Sequence, residues 1–117
     1  MLPKDYRLSR EGDIVRALRK GRMVKGAFVS LYVSGSSLKN SRFGVIVSKK
    51  VHNKPTRRNL VKRRLRYIFS KYFQQIKPGH DCLVVARPGI LNQDFQQIEQ
   101  EVLKLFARAR LLKKKEV

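Results

Sequence analysis

Residues 56–75 read TRRNLVKRRLRYIFSKYFQQ and combine a core-facing apolar stripe with a dense basic flank. Apolar residues recur here at spacings of three and four, which is the period of a helix packed against a core. They are Val61, Leu65, Ile68, Tyr72 and, just beyond the stretch, Ile76. Pro78 and Gly79 then interrupt the pattern. The stretch predicts a long helix from Thr56 to about Gln75.

The basic residues of this helix gather beside the apolar stripe. At about 100° per residue, five polar positions fall within an arc of about 140°. They are Arg58, Asn59, Lys62, Arg63 and Arg66, and we call them the basic flank; Arg57 and Arg64 lie close by in the sequence. Solvated helices usually alternate charges to gain i,i+4 pairs, whereas like charges stack here and no acid occurs between Asp13 and Asp81. The flank predicts a polyanion-binding surface, in which Asn59 can donate and accept hydrogen bonds to bases or 2′-hydroxyls.

The segments around this helix alternate between strand and helix patterns. Alternating apolar residues predict strands at 27–34 and 42–48, and a short apolar run predicts a strand at 81–87. Helical spacing predicts helices at 10–20 and from 92 or 94 onward. The chain then ends in a basic tail from about residue 112, with Lys113, Lys114 and Lys115. We predict one domain over residues 1–117, of the α+β class, as a sandwich of three helices on a mixed sheet.

Composition restricts the function classes. The 117 residues include 28 Lys and Arg against 8 Asp and Glu, a formal net charge of +20, while 42% hydrophobic residues suffice for a core. Such a charge excess requires an anionic partner: nucleic acid, an anionic membrane surface or an acidic protein. The sequence has neither a membrane-spanning run nor a signal peptide, and its one cysteine, Cys82, sits in an apolar segment. We predict a buried thiol and a cytoplasmic protein.

The strand at 27–34 has two different faces. Ala27, Val29, Leu31 and Val33 form an aliphatic face that belongs to a core, whereas Phe28, Ser30 and Tyr32 share the other face. Two rings beside a basic groove are suited to stacking the bases of single-stranded RNA. A helix covering these rings is the alternative, and the pattern alone does not choose between them.

The segment from Ser48 through the basic flank resembles the signature of the bacterial ribonuclease P protein family. In that family a basic pair, here Lys49 and Lys50, ends a strand and precedes a helix that opens with Arg-Asn. The likeness extends to other positions: Arg7-Leu8, Gly21, Arg42-x-Gly44, Asp81 and Ala86-Arg87. Leu60 departs from it, since the family has a basic residue there, and Arg57 or Arg64 can substitute. Ile14 and Leu18 stand where members often have aromatic residues.

The resemblance implies a fold like the second domain of a small-subunit ribosomal protein, with a left-handed crossover and one further short strand near Val51. It implies a catalytic RNA subunit as partner and precursor tRNA as substrate, with Mg²⁺ held mainly by the RNA and hydrolysis carried by the RNA. The residues expected to contact the RNA subunit are Lys49, Lys50, Arg57, Arg58, Asn59, Lys62, Arg63 and Arg66. Phe28 and Tyr32 are expected to bind the single-stranded 5′ leader. No catalytic residue, metal ligand or small-molecule cofactor is expected in this chain.

One other function class stays open, and two are disfavoured. A ribosomal or other structural RNA-binding protein would share the charge. A stand-alone nuclease would need clustered carboxylates or a histidine pair, whereas Asp5, Glu11 and Asp13 are scattered and His52 and His80 lack evident partners. A membrane-surface role is disfavoured because the apolar stripe beside the basic flank suits a protein core.

Overall fold

The computed structural model describes residues 2–113, which form three helices and a four-stranded sheet. The helices are α1 (Glu11–Lys20), α2 (Pro55–Tyr72) and α3 (Phe95–Arg108). The strands are β1 (Arg22–Lys25), β2 (Val29–Gly35), β3 (Arg42–Ile46) and β4 (His80–Ala86). Single 3₁₀ turns occupy Lys4–Tyr6, Phe73–Gln75 and Ile90–Asn92. The predicted basic tail lies outside the described residues from Lys114 onward.

The strands are arranged in the order β1-β2-β4-β3. β2 runs antiparallel to both β1 and β4, whereas β3 runs parallel to β4. Parallel neighbours need a crossover connection, and α2 supplies it between β3 and β4. The predicted α+β class and mixed sheet are confirmed; the left-handed sense of the crossover stays a prediction.

The two faces of the sheet carry separate apolar clusters. α2 and α3 cover one face, where the rings of Phe43, Phe69 and Phe106 meet at centroid distances of 5.3 to 6.3 Å. On the other face, α1 places Ala17 against Leu83 of β4. The predicted stripe of α2 is confirmed, because Val61, Leu65 and Ile68 are buried. The helix ends earlier than predicted, and a 3₁₀ turn carries the chain to the buried Ile76.

The extra strand lies in a different place from the one expected. The strand was expected near Val51, but Val51 lies in a turn. Its backbone N–H donates to the Ser48 carbonyl at 3.0 Å. The fourth strand is instead β1, which pairs with β2 at one edge of the sheet. Its sequence, Arg-Met-Val-Lys, offers only Val24 to the main core, so it carries almost no strand signal.

The prediction that Phe28 and Tyr32 share a face is wrong. β2 begins at Val29, and Phe28 precedes it with its ring packed against the main cluster, whereas Tyr32 packs on the α1 side. The cause is Glu101 of α3, whose carboxylate accepts the backbone N–H groups of Ala27 and Phe28 at 2.6 and 3.1 Å. These two bonds bend the chain before the strand starts, so the strand alternation does not extend back to Phe28.

A partly buried ion network joins α1 to the sheet. Arg42 of β3 forms a two-pronged pair with Asp81 of β4 at 2.9 and 2.7 Å, and donates to Asp13 of α1 at 3.1 Å. The hydrogen bond to Asp81 is the main cause that raises the pKa of the Arg42 guanidinium. Next to Asp81, burial raises the pKa of the Cys82 thiol to about 12, so this buried cysteine is an unreactive core residue.

Candidate RNA-binding surfaces

The basic flank lies along the solvent side of α2. Asn59, Arg63 and Arg66 are exposed, and Arg58 and Lys62 are half-buried. Within residues 2–113, none of these cations forms an ion pair with a carboxylate. The flank is therefore a row of free positive charges held in place by a buried helix face.

Arg58 also has a local structural task. Its Nη1 donates to the carbonyls of His52 and Asn53 at 3.0 and 2.9 Å, which holds the loop before α2 against the first turn of the helix. Lys49 and Lys50 are exposed at the start of this loop, and Arg57 is exposed on α2. The expected subunit-contacting residues thus lie in the loop after β3 and along α2.

The few acids are engaged by the fold rather than by the basic flank. Asp13 and Asp81 bind Arg42, and Glu99 binds the exposed Lys71 at 3.0 Å, which raises the pKa of Lys71. Asp94 caps α3 by accepting the Gln97 backbone N–H at 2.8 Å, and Glu101 holds the turn before β2. These five carboxylates therefore do not pair with the cations of the basic flank.

The α1 side of the sheet is only partly covered. Tyr32, Ile46 and Val85 are half-buried there, whereas Ala17 of α1 and Leu83 of β4 are fully covered. Met23 of β1 lies opposite Tyr32 in the strand register and is half exposed. Tyr32 therefore presents part of its ring at an open apolar face, and the predicted pair of rings is reduced to one.

A groove lies between the N-terminal segment, β3 and α2, and we call it the β3-edge groove. It has a volume of about 770 Å³, and its lining includes Leu2, Arg7, Phe43, Arg63, Arg66 and Tyr67. The N-terminal segment lies close to β3 because the Leu8 N–H donates to the Phe43 carbonyl at 2.8 Å. Gly44 permits this approach, since a Cβ there would lie 2.7 Å from the Leu8 carbonyl oxygen.

Comparison with known proteins identifies the family. The sequence model of the family described as Ribonuclease P matches residues 2–110. The chain belongs to the ribonuclease P protein family. The ribonuclease P protein component of Syntrophomonas wolfei is 34% identical over 111 residues, covering 95% of this chain and 92% of that protein. That of Dictyoglomus turgidum is also 34% identical, over 116 residues, covering 96% and 95%.

Solved structures of the family have the same fold. The RNase P protein of Staphylococcus aureus superposes with a TM-score of 0.83 at 26% identity, covering 92% of this chain and 98% of that one. The RNase P protein of Thermotoga maritima gives a TM-score of 0.78 at 27% identity, covering 87% and 96%. Membership makes this chain a protein component of ribonuclease P, a ribonucleoprotein that processes tRNA.

Several positions of the family signature have structural roles in this protein. Its Arg42-x-Gly44 element supplies the ion network and the room for the N-terminal segment, and Leu60, at the departing position, is half-buried on α2. Of the two positions where members often have aromatic residues, Ile14 is half-buried against the α1-side cluster and Leu18 is 39% exposed.

The structure also bears on the other function classes. No helix within residues 2–113 is long and apolar enough to cross a membrane. The same residues contain no cluster of three or more His, Cys, Asp or Glu side chains placed to hold a metal ion. His52 is engaged locally, since its Nδ1 accepts the Lys54 N–H at 3.0 Å.

Proposed function

We propose that this chain binds the catalytic RNA of ribonuclease P through the basic flank and assists removal of the 5′ leader from precursor tRNA. The observation that carries the proposal is the row of unpaired cations on α2, at the positions of the family signature. Arginine forks match phosphate oxygens in pairs, and exposed side chains can do so without breaking contacts of the fold.

The contacts with the RNA subunit divide by role. Arg63 and Arg66, both exposed, bind phosphates directly, and Asn59 can reach a base edge or a 2′-hydroxyl. Arg58 shapes the loop that carries Lys49 and Lys50, so its loss would disturb binding partly through that loop. Leu60 offers no charge to the RNA, and Arg57 and Arg64 supply the missing cation on adjacent turns.

The leader is assigned to the α1 side of the sheet. Tyr32 offers a half-exposed ring there, flanked by the apolar side chains of Ile46 and Val85, and unstacked bases bind to such rings. Phe28 is left out of this assignment because its ring packs against the opposite face of the sheet. The two RNA partners then bind different surfaces of one small domain.

Hydrolysis is assigned to the RNA subunit and its Mg²⁺ ions. Asp13, Asp81, Asp94 and Glu101 are engaged in structural bonds, and residues 2–113 hold no cluster of carboxylates placed to bind Mg²⁺. The chain contributes positive charge that lets two polyanions approach each other. We place it in the cytoplasm, where a free buried cysteine stays reduced.

Cleavage of precursor tRNA at limiting Mg²⁺ tests the proposal. Adding the full chain to a bacterial ribonuclease P RNA should lower the Mg²⁺ needed for half-maximal cleavage by roughly tenfold, because protein cations replace condensed counterions. Stable binding without any effect on cleavage would favour a structural RNA-binding protein. Specific cleavage by rigorously RNA-free protein would instead identify an autonomous nuclease.

The leader assignment has its own test in the substitution Tyr32→Leu. The assembled holoenzyme should bind precursor tRNA about tenfold more weakly, since one stacked base is lost, while its affinity for mature tRNA stays unchanged. Leucine retains the packing on α1, and Tyr72→Leu on the other side of the sheet is the matched control. Equal weakening of precursor and mature tRNA would show that the ring belongs to the core and does not contact the leader.

A further inference from the structure

We infer that the β3-edge groove is a pocket for one unpaired nucleotide of the RNA subunit, with the base stacked on Tyr67 and the phosphate held by Arg63 and Arg66. The inference rests on the proposed function in one respect, that the chain's partner on α2 is RNA. It adds a specific site and a ligand chemistry that the row of cations alone does not provide.

Tyr67 is the most exposed large apolar side chain among those described, with 58% of its surface accessible. Its position is nevertheless fixed, because its ring meets Phe95 of α3 in an edge-to-face contact at 5.6 Å. Arg63 lies one helical turn before it and therefore on the same side of α2. A fixed ring with free surface beside guanidinium groups is the arrangement that binds an unstacked base.

The rest of the groove suits a nucleotide in size and chemistry. Its volume of about 770 Å³ lies in the range of small-ligand sites. Leu2, Phe43 and Val45 provide an apolar floor, and the described residues that line the groove include no carboxylate. Arg7 of the N-terminal segment also lines the groove. Its Nε donates to the Leu2 carbonyl at 2.9 Å, which leaves its terminal nitrogens available for a phosphate.

The geometry also selects among RNA partners. A base inside a duplex keeps its faces stacked and cannot lie on Tyr67, so the ligand must be bulged or looped out. Arg63 and Arg66 belong both to the groove and to the basic flank, which makes the two surfaces continuous. Because these two arginines are also assigned to the RNA subunit, and Tyr32, which is assigned to the leader, does not line the groove, the nucleotide in the groove is assigned to the RNA subunit.

The chain has no tryptophan, so Tyr67→Trp installs a single fluorescent reporter in the groove. Three hairpin RNAs are titrated: one with a single bulged adenosine, one fully paired, and one with an abasic residue at the bulge. The bulged adenosine should quench the indole, and the other two should not. Equal quenching by the bulged and abasic hairpins would overturn the inference.

Binding by the tyrosine protein gives an independent measurement. Tyr67→Leu keeps an apolar contact for Phe95 and should weaken binding of the bulged hairpin by about tenfold, with no change for the paired one. Tyr72→Leu should change neither affinity. If Tyr67→Leu has no effect while Arg63→Ala weakens all three hairpins, the groove assignment is wrong and the proposed function stands. If Arg63→Ala also changes nothing, the proposed function fails with it.

Discussion

The double substitution Arg63→Ala with Arg66→Ala should weaken assembly with a bacterial ribonuclease P RNA by about 100-fold or more. Each side chain is exposed and free of ion pairs, and a hydrogen bond to a charged group contributes about 1.5–3 kcal/mol. The slope of log affinity against log salt should also become shallower by about two, since about one counterion is released per phosphate contact. Filter binding at several salt concentrations measures both quantities.

A matched control separates contact from net charge. Arg16 and Arg19 are two exposed arginines on α1 with the same three-residue spacing. Their double alanine variant removes the same charge from the chain but none from α2, so it should affect subunit assembly much less. Equal losses in the two double variants would mean that the RNA responds to overall charge, and the interface assigned to α2 would be wrong.

Breaking the ion network around Arg42 should lower the free energy of unfolding by about 3 kcal/mol, because Asp81 is buried although Arg42 and Asp13 are only partly so. In Arg42→Met, the carboxylate of Asp81 remains 5% exposed but loses both of its guanidinium bonds. An unpaired buried charge is costly because neither water nor a partner solvates it. The combined variant Arg42→Met with Asp81→Leu should recover most of the loss, since both charges are then absent.

The comparison with an exposed pair makes this prediction specific. Lys71→Met breaks the Lys71–Glu99 pair, in which the lysine side chain is 49% exposed, and should destabilise the protein much less than Arg42→Met because solvent screens the exposed pair. Urea unfolding of all variants supplies the values. If Arg42→Met is no more destabilising than Lys71→Met, the network does not hold α1 and the two strands together.

The parts of the fold that depend on periodicity could be predicted from sequence. The stripe of α2 and the face of α3 repeat at helical intervals, so their burial follows from spacing, and the continuous apolar run of β4 is typical of a strand covered on both faces. β1 could not be predicted because one core-facing valine leaves no period to detect. Phe28 was assigned to the wrong face because the bend before β2 depends on Glu101, which is distant in sequence.

One part of the candidate site could be predicted from the sequence and another could not. The basic flank could be predicted because all its members lie on one helix and their angles follow from residue number. The β3-edge groove could not, since it combines Arg7, Phe43 and Tyr67 from three segments. The available signal was Tyr67 itself, an aromatic residue that lies between Arg63 and Lys71 on the polar side of the helical wheel.

The position of α2 as the crossover between β3 and β4 limits how the protein can respond to its RNA. The helix is connected at both ends to neighbouring strands, and its face with Val61, Leu65 and Ile68 is buried in the core, so packing holds α2 in place. Arg58 and Arg66 therefore keep a backbone separation of about 12 Å along the axis. The protein thus presents its cations at a fixed backbone spacing. A close fit then requires the arginine side chains and the RNA to adjust.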